Sequence, residues 1–566
     1  MTRAIPRRRR PFPPARRRRG AAAILAALLA ALVLASGCAT IFPKGAYWRP
    51  YETHLAPPPP ARPKGPSEAP RVLPAAADLA ARRAALQGPI TRRWSDEDLV
   101  QSASRMEGWA GRSVYGDAMQ ILVWCYVDPL SYRRLLGAGL ESLRAALDNA
   151  EFRRRFPAAA DEAKRARFAE ALDILALKAG AADPWFAFQA TDWLAAVMEK
   201  NRAMLGLPDG AVVAEFLFGA MDSLDPYTRF LTAEMSRVYD EQIEGAYVGI
   251  GAEVVRRDGR FFVKEVFAGG AAARAGLKAG DEIVALDGRS VAGLVRGELS
   301  RRLRGRPGTE VKVSVRAGGE GPAREATLVR AAVRLPDVRD VQMLDAAQGV
   351  GYLRLTVFND RSEQELRRAI RDLAGRGAKR LILDLRDNPG GSLPGAVAVA
   401  GVFLPKGRVL KTRGRVLGAT WTYDVSALAW PEWRGDLAVL VNENTASAAE
   451  VVAAALARHE RAALVGKRTF GKGAVQVVLG AGGGAVCVTI ARVYDPKGEG
   501  LEGRGVAPTV AVAAPARPPA TPPEDPVVRA AMAILGQAKS PRGSPASASG
   551  DVSRAPVDGC GDKAPP

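Results

Sequence analysis

The apolar residues of this chain change their period twice, and that change limits the fold to three kinds of packing in succession. Residues 89–235 carry them at three- and four-residue spacing, as in "DAMQILVWCYVDPLSYRRLLGAGLESLRAAL" and "WFAFQATDWLAAVMEKNRAML". That spacing predicts amphipathic helices whose Trp and Met positions are core. Residues 245–333 switch to alternation. Val311, Val313 and Val315 fall on one face of a strand, and Lys312, Ser314 and Arg316 on the other. Residues 334–512 then alternate strands with helices. "GVGYLRLTVF" (349–358) reads as a strand, and "EQELRRAIRDLAGRG" (363–377) as a helix with Leu366, Ile370 and Leu373 inward. "KRLILDLR" (379–386) and "LAVLV" (437–441) read as buried strands, so this part is a layered α/β domain.

The first 37 residues are read as a targeting segment. Nine arginines, with no lysine and no acid, precede the apolar run "AAAILAALLAALVLA" (21–35). Fifteen apolar residues suit a signal peptide, whereas a membrane-spanning helix needs about 20. Ala35, Ser36 and Gly37 before Cys38 resemble a bacterial lipoprotein cleavage box. Cys38 would then carry the lipid and tether the protein to a membrane. The expected location is the cell envelope or periplasm. Residues 38–88 read as a linker, with "APPPPARPKGPSEAP" (56–70) favouring extended polyproline. After residue 512 come a Pro-rich stretch, a short helix "VVRAAMAILG" and a tail without core material.

The net charge of +21 does not point to nucleic acid. Nine of those charges belong to the targeting segment, and the remaining +12 (21 − 9) are spread among acids, without clustered aromatics. Cys125 and Cys487 sit in apolar surroundings and read as core, and Cys560 lies in the tail. No spacing among the cysteines fits a disulfide framework or a metal site, and no cofactor is expected.

Three stretches carry chemistry. Ser447, in "NENTASAAE" (442–450), falls where a strand ends and an alanine-rich helix begins. There it is either a helix cap or a nucleophile whose developing charge faces a helix N-terminus. Lys472, in "TFGKG", follows 25 residues later between two glycines. A lysine kept from water loses preference for its charge and becomes a usable general base. Gln476 is placed to hydrogen-bond and orient the amine. "DLRDNPGG" (384–391) closes a buried strand with a turn. Its exposed N–H groups, with that of Ala448, could bind an oxyanion. The chain has only two histidines. His459 lies twelve residues beyond Ser447 on the same helix, about 18 Å along it, and His54 lies in the linker, so a Ser-His-Asp triad is excluded.

Residues 245–333 resemble a bacterial PDZ domain. "YVGIG" (Tyr247, Val248, Gly249, Ile250, Gly251) stands for its carboxylate-binding loop, and "AGLKAGDEI" for its short helix and turn. Such a loop converges backbone N–H groups on a terminal carboxylate while an edge strand takes the peptide. The region from "MDSLDPYTRFLT" (221–232) through "LILDLRDNPGG", "NENTASAAE", "TFGKGAVQ" and "ARVYDPKG" to "GRGVAPTV" (503–510) resembles the serine-lysine carboxyl-terminal processing peptidases, or tail-specific proteases. The resemblance implies a spiral α/β core like that of the crotonases and Clp proteases. It also implies Ser447 as nucleophile, Lys472 as base, Gln476 as its partner, and Ala448 with Gly390 or Gly391 as the oxyanion hole. Substrates would be proteins with apolar C-termini, caught by the PDZ domain and cut near that end. A homo-oligomer or an adaptor is left open. Ala449 stands where the family usually has a second serine, and residues 89–210 match the family poorly. The alternative is a catalytically silent PDZ scaffold for C-terminal tails. A crotonase-like acyl-CoA enzyme fails on the targeting segment, the PDZ pattern and the Ser-Lys pair.

Overall fold

A computed structural model describes residues 76–537, apart from 106–107, 182–186, 234, 237–238, 240–245, 295, 427–429 and 514–521. The targeting segment, Cys38, His54 and the tail with Cys560 lie outside the described residues.

The helical region begins earlier than its sequence suggested. Helix α1 (Ala76–Trp94) starts thirteen residues inside the stretch read as linker, and Pro89 lies within it. The proline-rich run masks a following segment of alanine, leucine and arginine, all strong helix formers. Helices α2 (Gly108–Cys125), α3 (Tyr132–Ala146) and α4 (Asp209–Asp222) complete the part that bears on the site. Helices α3 and α4 touch through Gly139 and Gly219. A Cβ on Gly219 would lie 2.3 Å from that of Ser142, so the close approach requires glycine. Glu215, fully buried on α4, accepts from Trp94 Nε1 at 2.6 Å and Ser142 Oγ at 2.5 Å, and pairs with Arg93 at 3.2 Å. A buried carboxylate is tolerable only when so supplied, and here it fastens α1, α3 and α4 together.

The second region is a small β-domain. Strands β2 (Ala246–Gly249) and β9 (Ala331–Arg334) pair antiparallel at its entry and exit. Between them lie β3 (Ala252–Arg257), β4 (Arg260–Val266), β5 (Glu282–Leu286), β6 (Arg289–Ser290), helix α5 (Arg296–Leu303), β7 (Glu310–Arg316) and β8 (Arg324–Val329). The sheet order is β3-β4-β5-β7-β8, which leaves β3 as an edge. Val311, Val313 and Val315 are buried and Lys312 is exposed, as the alternation predicts. Asp287 and Gly288 both have positive φ (49° and 74°), the tight turn expected between β5 and β6.

The third region is a six-stranded sheet in the order β10-β11-β12-β15-β16-β19. Strand β10 (Val338–Asp345) runs antiparallel to β11 (Val350–Leu355). From β11 onward, β12 (Arg380–Asp384), β15 (Asp436–Val441), β16 (Ala463–Gly466) and β19 (Val510–Ala511) are parallel. Leu381, Ile382 and Leu383 are all fully buried, because both faces of the sheet are covered. Helices α6 (Ser362–Gly375), α7 (Leu393–Phe403) and α8 (Ala448–Arg458) cover one face, with Leu366, Ile370 and Leu373 inward. The short C-terminal helix, α9 (Pro526–Gln537), covers the other, setting Val527, Val528, Ala531 and Leu535 against Ile382, Leu440 and Val465.

A second sheet unites the regions. Strand β18 (Gly484–Tyr494) pairs with β1 (Arg229–Thr232), with β13 (Gly407–Gly414) and with β17 (Ala474–Ala481); β14 (Trp421–Val425) extends it beyond β13. Ala481, Val486 and Val488 belong to the core of the helical region. Gly482 abuts Val114 of α2, and Val127 N–H donates to Thr489 O at 2.8 Å. The chain is therefore a mixed α/β protein with an N-terminal helical region and an inserted PDZ-like β-domain.

Candidate active site

Strands β12, β15 and β16 are neighbours and parallel, so the loops leaving their carboxyl ends meet at one edge of the sheet. That edge is where open α/β sheets place their chemistry. The three loops are those that carry "RDNPGG", "NENTAS" and "TFGKG".

The loop after β15 is short and internally tied. Asn442 N–H donates to Thr445 Oγ1 (3.0 Å), and Thr445 Oγ1 donates to Leu385 O on the adjacent loop (2.9 Å). Ser447 caps α8 with φ 56° and ψ −119°. A non-glycine residue in that region is strained, and such strain persists only where its surroundings enforce it. Two neighbours enforce it here. Ala446 N–H is held by Asn388 O at 3.0 Å, and Ser447 N–H by Glu450 Oε2 at 2.8 Å.

The loop after β12 lies directly against the serine. A Cβ on Gly390 would sit 2.7 Å from Ser447 Cβ and 2.9 Å from Ala448 N. One on Gly391 would sit 2.1 Å from Phe358 O. Both glycines have positive φ (101° and 137°), so no other residue fits either position. Gly390 N–H is already committed to Asn388 Oδ1 at 2.9 Å. Among the described residues, the N–H groups of Gly391 and Ala448 have no such partner.

The loop after β16 brings Lys472. Its Nζ stands 5.1 Å from the centre of the Tyr227 ring, and no carboxylate lies within ion-pair distance among the described residues. Burial is the main cause of a lowered pKa. Arg229 adds to it, while Cys487, Glu502 and Asp225 oppose it. Tyr227 is fixed there by "LDPYT". Asp225 Oδ1 accepts the N–H groups of Tyr227 and Thr228 at 2.8 and 2.7 Å, and Tyr227 Oη donates to Glu502 Oε1 at 3.0 Å.

Glu450 joins the serine loop to the lysine loop. It is fully buried, one turn into α8. Its Oε2 accepts both Ser447 N–H and Lys472 N–H, each at 2.8 Å. Its Oε1 accepts Thr469 Oγ1 at 2.5 Å and Gly471 N–H at 2.7 Å. The backbone nitrogens of Ser447 and Lys472 can therefore be no farther apart than the sum of two hydrogen bonds. That separation is well within the reach of a lysine side chain. Among the described residues no hydrogen bond joins Lys472 Nζ to Ser447 Oγ; the amine rests over the tyrosine ring instead.

Gln476 departs from its expected contact. Its Nε2 donates to Tyr227 O at 2.6 Å and approaches Cys487 Sγ at 3.2 Å, rather than bonding the amine of Lys472. The nearer tyrosine carbonyl takes the amide, so Gln476 orders Tyr227, which in turn walls the lysine. His459 caps the far end of α8 and bonds Arg408 O at 2.7 Å, away from Ser447. In the β-domain, Val248, Gly249, Ile250 and Gly251 are buried and Tyr247 is half-buried, with Arg304 over its ring. Ile250 O accepts Ala272 N–H at 2.7 Å, which packs the loop against the short helix Ala271–Arg274.

Glu450, Tyr227 and Glu502 were missed as site residues from sequence. Glu450 and Tyr227 lie inside the motif strings and Glu502 falls between the last two of them, but only Ser447 and Lys472 were singled out for chemistry. A glutamate three residues after a helix-capping serine reads as an ordinary capping box.

Residues 349–512 match peptidase family S41, and residues 239–316 match the PDZ domain. The carboxy-terminal-processing protease of Bartonella bacilliformis is 32% identical over 332 residues, which are 56% of this chain and 74% of that protein. The chain belongs to peptidase family S41. Its members named here are carboxy-terminal processing proteases, and the chain is a serine protease of that type. The carboxy-terminal processing protease CtpA of Bacillus subtilis is 34% identical over 54% of this chain and 63% of its own length. Among solved structures, the photosystem II D1 C-terminal processing protease is similar at 26% identity, covering 75% of this chain and 98% of that one, with a TM-score of 0.39. The S41 match spans the three loops that meet beside Ser447, and the PDZ match holds the "YVGIG" loop.

Proposed function

We propose that this S41 protease cuts proteins near their C-termini with a Ser447–Lys472 dyad, after its PDZ domain has taken an apolar tail. The observation that carries the reading is the shared carboxylate oxygen of Glu450, which holds the backbones of Ser447 and Lys472 together. A rotation of the Lys472 side chain from the Tyr227 ring to Ser447 Oγ completes the pair. Neutral Lys472 then takes the hydroxyl proton as Ser447 attacks the scissile carbonyl, and returns it to the leaving amine. The N–H of Ala448 and that of Gly391 or Gly390 would receive the oxyanion, and the free amide of Gly391 favours Gly391. Gln476 contributes by fixing Tyr227. In the PDZ domain, residues 247–251 would hold the tail's carboxylate while the open edge of β3 receives its backbone.

The same proposal places the protein in the cell envelope, exported by residues 1–37 and tethered through a lipid on Cys38. Palmitate labelling of the parent, lost in Cys38→Ser, is the expected result. A parent that takes up no label would refute the anchor.

The catalytic reading is tested by incubating the protein with an unstructured protein that ends in apolar residues, beside Ser447→Ala and Lys472→Ala. Cleavage by the parent alone is expected. Tail binding without cleavage by the parent would establish a scaffold instead. Equal turnover by Lys472→Ala would remove the lysine from the mechanism.

A further inference from the structure

Phe470 is 58% exposed, yet both residues beside it, Thr469 and Gly471, are buried. A single exposed apolar side chain is ordinary on a protein surface. What sets this one apart is the rigidity and the position of its backbone. Phe470 N–H donates to Thr445 O at 3.0 Å, two residues before Ser447. Thr469 Oγ1 and Gly471 N–H, on either side, both donate to Glu450 Oε1. Thr469 N–H is held by Val506 O at 3.1 Å, and Gly471 O accepts Gly503 N–H at 2.8 Å. The aromatic ring therefore stands on a fixed bracket, two residues from Ser447 across one hydrogen bond and two from Lys472 along the chain. It has no core to fill.

We propose that Phe470 is a specificity-determining residue, forming one wall of the subsite for an apolar substrate side chain next to the scissile bond. This rests on the dyad reading above and adds a second point of selection to it. The PDZ domain selects the tail, and Phe470 selects where the chain is cut. A rigid aromatic face offers large contact area at little conformational cost, which is what such a wall needs.

The test uses the full chain and a set of peptides that share one apolar C-terminal tail. They differ only at the residue beside the bond cut by the parent, mapped by mass spectrometry and occupied in turn by Ala, Leu and Asp. The parent and Phe470→Leu should prefer Leu over Ala in kcat/KM. In Phe470→Ala that preference should fall about tenfold, the scale of discrimination available to one apolar contact. Tail binding, measured by fluorescence anisotropy with the same peptides, should be unchanged. An unaltered Leu/Ala ratio in Phe470→Ala, or an equal loss for every peptide, would overturn the proposal. Ser447→Ala, run alongside, isolates the underlying reading. If it cleaves as the parent does, the dyad fails, whatever Phe470 does.

Discussion

At the residue scale the candidate site brings together a half-buried amine, Lys472, and a strained serine, Ser447. Lys472 has a pKa lowered mainly by burial. Below that folded value the ammonium is charged in both states, and the folded state bears the whole desolvation cost. As pH rises from the folded value toward the ordinary lysine value of about 10.4, the native state binds fewer protons than the unfolded one and stability increases. Lys472→Met should therefore be more resistant to urea than the parent at neutral pH, with the difference shrinking by pH 10. Its activity should drop by about 10²- to 10⁴-fold, the usual contribution of a positioned base. Glu450→Gln is a second test at this scale. An amide offers only one accepting oxygen, so it leaves two of the four donors around Glu450 without a partner. We expect a kcat at least tenfold lower and about 1–3 kcal/mol less stability, read from activity and from urea melts. The serine and the lysine were singled out in the sequence through the order of motifs that joins them, since a serine ahead of a helix is by itself an ordinary cap. Glu450 was not, because its role depends on a loop 19 to 22 residues away that only the folded chain brings to it.

At the element scale the sheet edge does the assembling. The sequence announces β12 and β15 as buried strands, since "LILDL" and "LAVLV" carry apolar residues on both faces. Periodicity does not reveal that β12, β15 and β16 are consecutive neighbours, which is what brings three loops to one place. Helices α6, α7 and α8 pack on one face of that sheet and α9 on the other. Leu383→Ala, in the middle of β12 and fully buried, should cost about 2–5 kcal/mol in denaturant unfolding. Lys312→Ala, on the exposed face of β7, should stay within about 0.5 kcal/mol of the parent. Helix α1 shows the opposite failure. Its alanines were helical material, but a proline run upstream drew the boundary to the wrong side.

At the scale of the whole molecule, the N- and C-terminal parts of the described chain are each keyed to the active edge. The helical region holds the β17–β18 hairpin that follows Lys472, through Val114 against Gly482 and Arg492 against Asp128 at 2.6 Å. At the other end, Arg386 opens the loop that leads to Gly390. It pairs with Asp384 on β12 and, at 2.6 Å, with Asp525 ahead of α9. Asp525 lies beyond the S41 match, which ends at residue 512. Its removal leaves a half-buried guanidinium with one partner fewer, so Asp525→Ala should cost about 1.5–3 kcal/mol in urea unfolding and lower kcat more than it changes KM. Asp525→Asn should recover part of both. None of this coupling is visible in the motifs, because an ion pair spanning 139 residues leaves no local pattern.

The most direct measurement is the rate at which a serine-reactive fluorophosphonate labels Ser447, followed by mass shift across pH 6 to 11 in the parent and in Lys472→Ala. The rate in the parent should rise with pH, with a midpoint below the ordinary lysine value, and in the variant it should be flat and on the order of 10³-fold lower. Equal labelling rates in the two proteins, or a parent whose rate ignores pH, would contradict the account.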